Sequence, residues 1–564
     1  MESCLCLLLL CALSVVPASG EDMKNNDGIA LVSFLRSIIP GLPTRDEPFI
    51  INQNFEINSL REPGHPDVLS ITEQSKEKAV SQDTNGTRGP VVLTKGGRIK
   101  GTTVDKAYVF YGIPYADPPV GPNRWKPPRP VTPWSGVYDA SFPRAACMQA
   151  CRGPITEECP RIVSEDCLYL NIFVPLIVDF SSPLRSPLPV MVWIHGGDFI
   201  AGSASKPLYD GRFISNFTRT VVVNMEYRLG AFGFLVSGKD PRTPPAGNYG
   251  ILDQQSALLW VQQNIAVFGG DPNKVTIFGE SAGAQSVSLH LMMESSRPLF
   301  KQAVLQSLPF SIPLKTRHEA LKLARDFAKH TNCSVSDIVC LLSLTPQAVL
   351  AAQMKTSTTS EEGVMFVFGF FNKPVSVLES TVYITAIFKQ HSLQILHQYL
   401  PLYRAADLRD MLAQIITDYV FLCPSRRSAR AGTALGSKVW MYVFDHVVSD
   451  HRVWSGLTFC YHRACHGAEL PFLFDSASVA NFTLLQPEKV LSSQMLCYWG
   501  SFAHTSDPST RVQQTTFCQE QVLPAWPRYS DTSGWLVMNL TVGSHAQVGT
   551  RNRICDFWDK LGIY

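Results

Sequence analysis

The stretch that most constrains this chain is Val275–Met293, VTIFGESAGAQSVSLHLMM. Val275 to Phe278 is a short apolar, β-branched run, the pattern of a buried strand. Ala284, Val287 and Leu291 then fall at helical spacing, with Gly279-Glu280-Ser281-Ala282-Gly283 between the two elements. Gly-x-Ser-x-Gly between a strand and a helix is the context of a nucleophile elbow. A serine on so sharp a turn needs neighbours without side chains, and Gly279 and Gly283 supply them. The turn lifts the hydroxyl clear of the sheet and sets it near a helix N-terminus, where developing negative charge is favoured. The bare pattern arises by composition in roughly a fifth of chains this long. The flanking elements therefore carry the weight.

The chain has 564 residues, 45% hydrophobic and 17% charged, and can bury a large ordered core. Its 49 basic and 47 acidic residues leave a net charge of +2. No basic excess points to nucleic acid or to an anionic membrane. Met1–Gly20 reads as a secretory signal peptide: Leu5–Val16 is apolar but too short to span a bilayer, and Pro17-Ala18-Ser19-Gly20 supplies small residues for cleavage. No later run reaches spanning length, so a secreted protein without a transmembrane anchor is expected. Three of the 15 cysteines lie in the signal. The remaining even number suits disulfides in an oxidising compartment, and with no Cys-x-x-Cys pair among them no metal site is expected. Asn85, Asn216, Asn332, Asn481 and Asn539 each begin an Asn-x-Ser/Thr sequon, so each is a candidate surface glycan site.

Residues 21–89 are polar and patternless apart from Ile29–Ile39, and read as an extension or pro-segment without assigned function. Residues 90–564 read as one domain. Val91–Leu93 and Arg98–Thr103 flank Gly96-Gly97 as a hairpin, and Tyr108–Tyr111 and Leu168–Val174 read as strands. Pro189–Ile194, PVMVWI, is a strand covered on both faces, and it runs into His195-Gly196-Gly197-Asp198-Phe199. Successive glycines after a buried strand let backbone N–H groups point into a cavity, so an oxyanion hole is expected there. Thr220–Asn224 is a further strand, and Leu252–Val267 a helix that stops at Gly269-Gly270. Strand, helix, strand in this order predicts an α/β fold with a mainly parallel central sheet flanked by helices. Its functional loops then share one carboxyl edge.

Seven stretches resemble the type-B carboxylesterase family, which includes the cholinesterases, within the α/β-hydrolase superfamily. They are YGIPYADPPVGPNRWKPP (111–128), SEDCLYLN (164–171), HGGDF (195–199), YRLGAFGFL (227–235), GNYGILDQ (247–254), FGGDPNKVTIFGESAG (268–283) and CHGAEL (465–470). The resemblance runs from about Val91 to the C-terminus and implies an α/β-hydrolase fold. It implies a serine esterase acting on small carboxylic esters, with no cofactor. Ser281 is then the nucleophile, Gly196, Gly197 and Ala282 the oxyanion donors, and His466 the general base. It further implies disulfides Cys147–Cys167 and Cys333–Cys340 and an Arg124–Glu165 ion pair. Cys151/Cys159 and Cys460/Cys465 are close pairs that suggest extra bridges, while the pairing of Cys423, Cys497, Cys518 and Cys555 stays open. His466 also satisfies the chain order serine, acid, histidine on the residues alone. So do His391, His397, His446, His451, His504 and His545, with His462 the nearest rival.

The acid is where the pattern breaks. Glu362-Gly363 best matches the family's glutamate, which holds the histidine tautomer. Glu362, however, lies only 81 positions after Ser281, fewer than the family usually has. Leu350–Lys355, LAAQMK, stands where an apolar strand belongs, so a missing or disturbed strand is expected before the acid. Glu361, Asp418 and Asp445 are the alternatives. The segment between Cys147 and Cys167 also contains no tryptophan. Cholinesterases carry one there to hold a quaternary ammonium, which argues against a choline ester. Within the same family, adhesion proteins keep the fold without catalysis.

Overall fold

The structure, a computed structural model, describes residues 89–150, 159–182, 186–236, 247–311, 314–358, 374–510, 515–520, 523–549 and 551–563. The expected signal peptide and the extension fall outside them, apart from Gly89. Seven strands form the central sheet: β1 (Thr102–Val104), β2 (Ala107–Pro114), β3 (Tyr169–Pro175), β4 (Leu188–Ile194), β5 (Val221–Met225), β6 (Gly270–Glu280) and β7 (Gln302–Gln306). Across the sheet they run β7-β6-β4-β5-β3-β2-β1. β5, β4, β6 and β7 are parallel neighbours. β3, β2 and β1 join antiparallel. The parallel half is the half that carries the elbow.

The helices that matter here are α1 (Gly211–Thr218), α2 (Tyr249–Asn264), α3 (Ala282–Met292), α4 (Pro346–Thr358), α5 (Arg409–Ile416), α6 (Cys423–Ala434), α7 (Gln486–Thr505) and α8 (Asn552–Leu561). β4 explains the doubly covered sheet. Every residue from Pro189 to Ile194 is buried, and alternate side chains leave opposite faces. Val190, Val192 and Ile194 join Ala257, Leu258 and Val261 of α2. Met191 and Trp193 join Ile214 of α1 and Leu491, Met495 and Trp499 of α7. The Trp193 ring lies 5.1, 4.9 and 5.0 Å from those of Tyr209, Phe278 and Phe474. Truncating a side chain so enclosed costs about 3–5 kcal/mol.

Two buried ion pairs tie loops to this core. Arg228 donates to Asp253 from Nε (2.8 Å), Nη2 (2.7 Å) and its backbone N–H (3.1 Å). Arg124 donates to Glu165 from Nε (2.5 Å) and Nη2 (2.6 Å). Disulfides join Cys147–Cys167, Cys333–Cys340, Cys423–Cys555, Cys460–Cys465 and Cys497–Cys518. Cys159 is also disulfide-bonded, and Cys151 lies outside the described residues. No helix among the described residues is long and apolar enough to cross a membrane.

Among the described residues, β7 is the last strand on its side of the sheet. Leu350–Lys355 belongs to α4, so helix occupies the place where the family pattern calls for a strand. A separate sheet follows: β8 (Tyr442–Phe444) parallel to β9 (Leu536–Leu540), with β10 (His545–Val548) antiparallel to β9. α7 touches both sheets. Gln302 Nε2 donates to the Phe502 carbonyl at 2.5 Å, and the Trp440 ring lies 5.8 Å from that of Phe502. Gln302 Oε1, Gln306 Oε1 and Tyr442 Oη are buried without hydrogen bonds among the described residues.

Of the sequon asparagines, Asn216, Asn332 and Asn481 are exposed, and Asn85 lies outside the described residues. Asn539 corrects its reading as a surface site. It sits within β9, only 7% exposed, where the side-chain amide has no room for a glycan.

Candidate active site

β6 ends at Glu280, and Ser281 turns the chain into α3 with φ 57° and ψ −122°. That backbone conformation is sparsely populated for a residue with a side chain, so the surroundings must hold it. They do so from both flanks. The Ser281 N–H donates to the Gln306 carbonyl of β7 at 3.0 Å. At Gly283 an added Cβ would lie 2.0 Å from the Ile194 carbonyl oxygen of β4, so only glycine lets α3 start this close to the sheet.

β4 delivers the second component. A Cβ on Gly196 would lie 2.7 Å from the Glu280 carbonyl oxygen, 2.9 Å from Glu280 Oε2 and 3.1 Å from Ser281 Cβ. The His195-Gly196-Gly197 backbone thus packs directly against the serine. None of the N–H groups of Gly196, Gly197 and Ala282 donates a hydrogen bond among the described residues. Beneath them His195 stacks on Tyr227 at 4.5 Å, and Tyr227 Oη donates to the His195 carbonyl at 2.7 Å. Burial holds the His195 imidazole down to about 4, so it is neutral, and its 2.9 Å contact with the Gly196 carbonyl places the proton on Nδ1. Glu226 accepts from Ser203 Oγ at 2.7 Å and from the Ala204 N–H at 2.9 Å. Burial nevertheless lifts its carboxyl to about 7.

The third component is His466, which directly follows the Cys460–Cys465 bridge. Its Nε2 lies 2.9 Å from Glu280 Oε1, and its ring is 5.1 Å from that of Phe421. The contact is an ion pair rather than a well-aligned hydrogen bond, since Oε1 has no hydrogen-bond partner of good geometry. The side chain remains 32% exposed, which leaves an approach from solvent. The surrounding protein disfavours the imidazolium. The charge of Glu280 and its contact, then Glu469 and Asp198, outweigh that penalty and raise His466 to about 9. Glu469 is buried and accepts from Gln306 Nε2 at 3.1 Å. Burial and the nearby Glu280 charge raise it to about 7.

The structure therefore brings Gly196, Ser281 and His466 to one edge of the sheet. No hydrogen bond to Ser281 Oγ forms among the described residues. Glu362 and Glu361 lie outside them. Asp445 is exposed. Asp418 is buried and held by Tyr399 Oη at 2.7 Å, Gln414 Nε2 at 3.0 Å and the Arg551 guanidinium. Neither aspartate contacts His466. Sequence reasoning missed Glu280 and Glu469 as partners of the imidazole. Both were in view, one beside Ser281 in GESAG and one three residues after the histidine in CHGAEL.

The carboxylesterase family model matches residues 88–399 and 372–558. A Dictyostelium discoideum protein named Crystal protein is 35% identical over 523 residues, 83% of this chain and 90% of its own length. The cAMP-regulated D2 protein of the same organism is 34% identical over 471 residues, 75% and 85% of the two chains. Acetylcholinesterase of Bungarus fasciatus is 32% identical over 563 residues, 88% of each. With this family match and these relatives, the chain belongs to the carboxylesterase family.

Proposed function

We propose that this protein is a secreted serine esterase that hydrolyses small carboxylic esters through an acyl-enzyme intermediate. One observation carries the reading: Ser281, in a strained conformation, packs against Gly196 while His466 lies against the adjacent Glu280. In this reading Ser281 Oγ attacks the ester carbonyl carbon and His466 takes its proton. The N–H groups of Gly196, Gly197 and Ala282 receive the tetrahedral oxyanion. His466 then returns the proton to the leaving alcohol, and water releases the acyl group. Glu362 is the acid of the family pattern, and no organic cofactor or metal is required by these steps. The disulfides support an oxidising, extracellular setting. The segment between Cys147 and Cys167 has no tryptophan, which favours esters other than those of choline.

A second reading, a binding or adhesion protein that keeps the fold without turnover, draws on the Dictyostelium relative, whose name mentions no activity. One assay separates the two. Secreted protein should hydrolyse p-nitrophenyl acetate, and Ser281→Ala should abolish the rate. Hydrolysis that survives this substitution removes Ser281 from the chemistry. A folded protein with no hydrolysis favours the binding role.

A further inference from the structure

We infer that Glu226 is the positioning residue of the oxyanion loop, acting through His195: its Oε2, when protonated, donates to His195 Nε2 and so fixes the direction of the Gly197 N–H. The inference rests on the esterase reading above and deepens it at the glycine loop of that same site. His195 directly follows β4 and Glu226 directly follows β5, and the two strands are parallel neighbours. Their side chains meet beneath the loop, 0% and 3% exposed. His195 Nε2 and Glu226 Oε2 face each other at 3.9 Å, and neither has a hydrogen-bond partner among the described residues.

That separation is too long for a hydrogen bond, and the chemistry of the two atoms gives the reason. Nδ1 holds the ring proton against the Gly196 carbonyl at 2.9 Å, so Nε2 is a bare acceptor. Glu226 Oε1 takes Ser203 Oγ at 2.7 Å and the Ala204 N–H at 2.9 Å. An ionised carboxylate therefore turns a second acceptor, Oε2, toward the first. One added proton converts this opposition into a hydrogen bond. Burial decides where the proton sits: it holds His195 down to about 4 and lifts Glu226 to about 7, so the carboxyl carries it.

The ring reaches the reaction through a single peptide. In a trans peptide the C=O and the following N–H point in opposite directions, so the side chain that grips the Gly196 carbonyl also aims the Gly197 N–H. Gly202, with φ 114°, closes on the same grip: a Cβ there would lie 2.3 Å from His195 Nδ1 and 2.5 Å from the Gly196 carbonyl oxygen. Gln149 holds Gly202 in turn, with bonds of 2.7 and 2.9 Å. Among the described residues, Nε2 is the end of the ring left without a tie.

Other groups also face the pair. Tyr115, after β2, donates to the Glu226 backbone carbonyl at 2.7 Å, with the Arg228–Asp253 pair beyond it. Tyr227 stacks on the ring. Burial raises both phenols well above their ordinary value, so they stay neutral. The loop after β4 brings Asp198 and Lys206, and the Lys206 charge further disfavours a second proton on His195. The Cys147 N–H also faces the Glu226 carboxyl.

The test combines ¹⁵N NMR of the His195 ring with kcat/KM for p-nitrophenyl acetate across pH, in wild type, Glu226→Gln and Glu226→Leu. The glutamine amide can donate to Nε2 at every pH, and leucine at none. In the wild type the His195 Nε2 resonance should shift with a midpoint near 7 while Nδ1 keeps its proton. In Glu226→Gln it should stay still over the same range. Taking the ratio of wild-type to Glu226→Gln rates cancels the titration of His466. The ratio should be near unity below the midpoint and fall about tenfold above it, less than the 10²–10³-fold or so of a donor lost outright. Glu226→Leu should be slow throughout. A resonance that does not titrate, or a ratio flat across pH, overturns the proposal whether or not Glu226→Leu folds. So does a Glu226→Gln protein as slow as Glu226→Leu. Hydrolysis that persists in Ser281→Ala defeats the esterase reading instead, and the His195 resonances still decide the Glu226 pairing separately.

Discussion

On the β4 side of Ser281, loops are tied down by explicit hydrogen bonds, although Trp193 Nε1, His195 Nε2, Asn224 Oδ1, Glu226 Oε2 and Arg228 Nη1 are buried without partners among the described residues. Arg228 gives three hydrogen bonds to Asp253, Tyr227 holds the His195 carbonyl, and Gln149 exchanges two hydrogen bonds with Gly202. On the β7 side, Gln302, Gln306 and Tyr442 each leave a buried oxygen unpaired where one sheet stops and the next begins. Both sides leave buried polar atoms unpaired; they differ in that one is tied by a buried ion pair and the other lies at a break between two sheets. The Gly279–Gly283 turn and the His195-Gly196-Gly197 loop are held by strands β4, β6 and β7. The His466 ring meets the sheet at the end of β6, where Glu280 Oε1 lies 2.9 Å from its Nε2.

The largest expected effect comes from Ser281→Ala, which should lower kcat/KM for p-nitrophenyl acetate at least about 10³-fold. The melting temperature should stay level or rise, because alanine removes a hydroxyl that has no hydrogen bond here. A fall in both would move Ser281 from the reactive side of the contrast to the structural side. Arg228→Ala probes the β4 side and should destabilise by about 3–5 kcal/mol in chemical unfolding, since it strands a buried carboxylate. Gly196→Ala should cost about 10²–10³-fold in kcat through the displaced oxyanion donor, with the fold retained in circular dichroism. Tyr442→Phe probes the β7 side. Removing an unpaired buried hydroxyl should change stability by less than about 1 kcal/mol, in the stabilising direction. A loss comparable with that of Arg228→Ala would show that the β7 side is better satisfied than its geometry indicates.

The pH dependence sharpens the same contrast. His466 is raised in the folded state from its ordinary value near 6.5 to about 9. Its ion pair therefore contributes full stability below about pH 6.5 and loses it as the pH rises through 9. Urea midpoints should fall across that window in the wild type and stay flatter in Glu280→Gln.

Much of the β4 side was legible in the residues. PVMVWI is apolar throughout because β4 is buried on both faces, and the glycines of HGG and GESAG are forced by contacts of 2.0–2.9 Å with neighbouring backbone and carboxylate atoms. The hairpin at Gly96-Gly97 and the helix end at Gly269 follow from local backbone preferences. The partner of His466 was not legible. Order along the chain restricts where an acid comes from, but several carboxylates satisfy it, and only packing decides which one faces the ring. The Cys423–Cys555 bridge spans 132 positions, and no local signal encodes a pairing at that distance. Asn539 shows the opposite failure: a local motif was readable, yet its strand also pairs with distant Tyr442–Phe444, where Val443 lies opposite it.

The Cys423–Cys555 bridge has a consequence for how the site is assembled during synthesis. Cys423 opens α6 two residues after Phe421, whose ring lies against His466, and Cys555 lies in α8. The wall behind the imidazole can be locked only after the ribosome has delivered residue 555, long after the elbow and the glycine loop have emerged. A nascent chain stalled before that cysteine would carry the Ser281 turn beside a histidine wall without its latch.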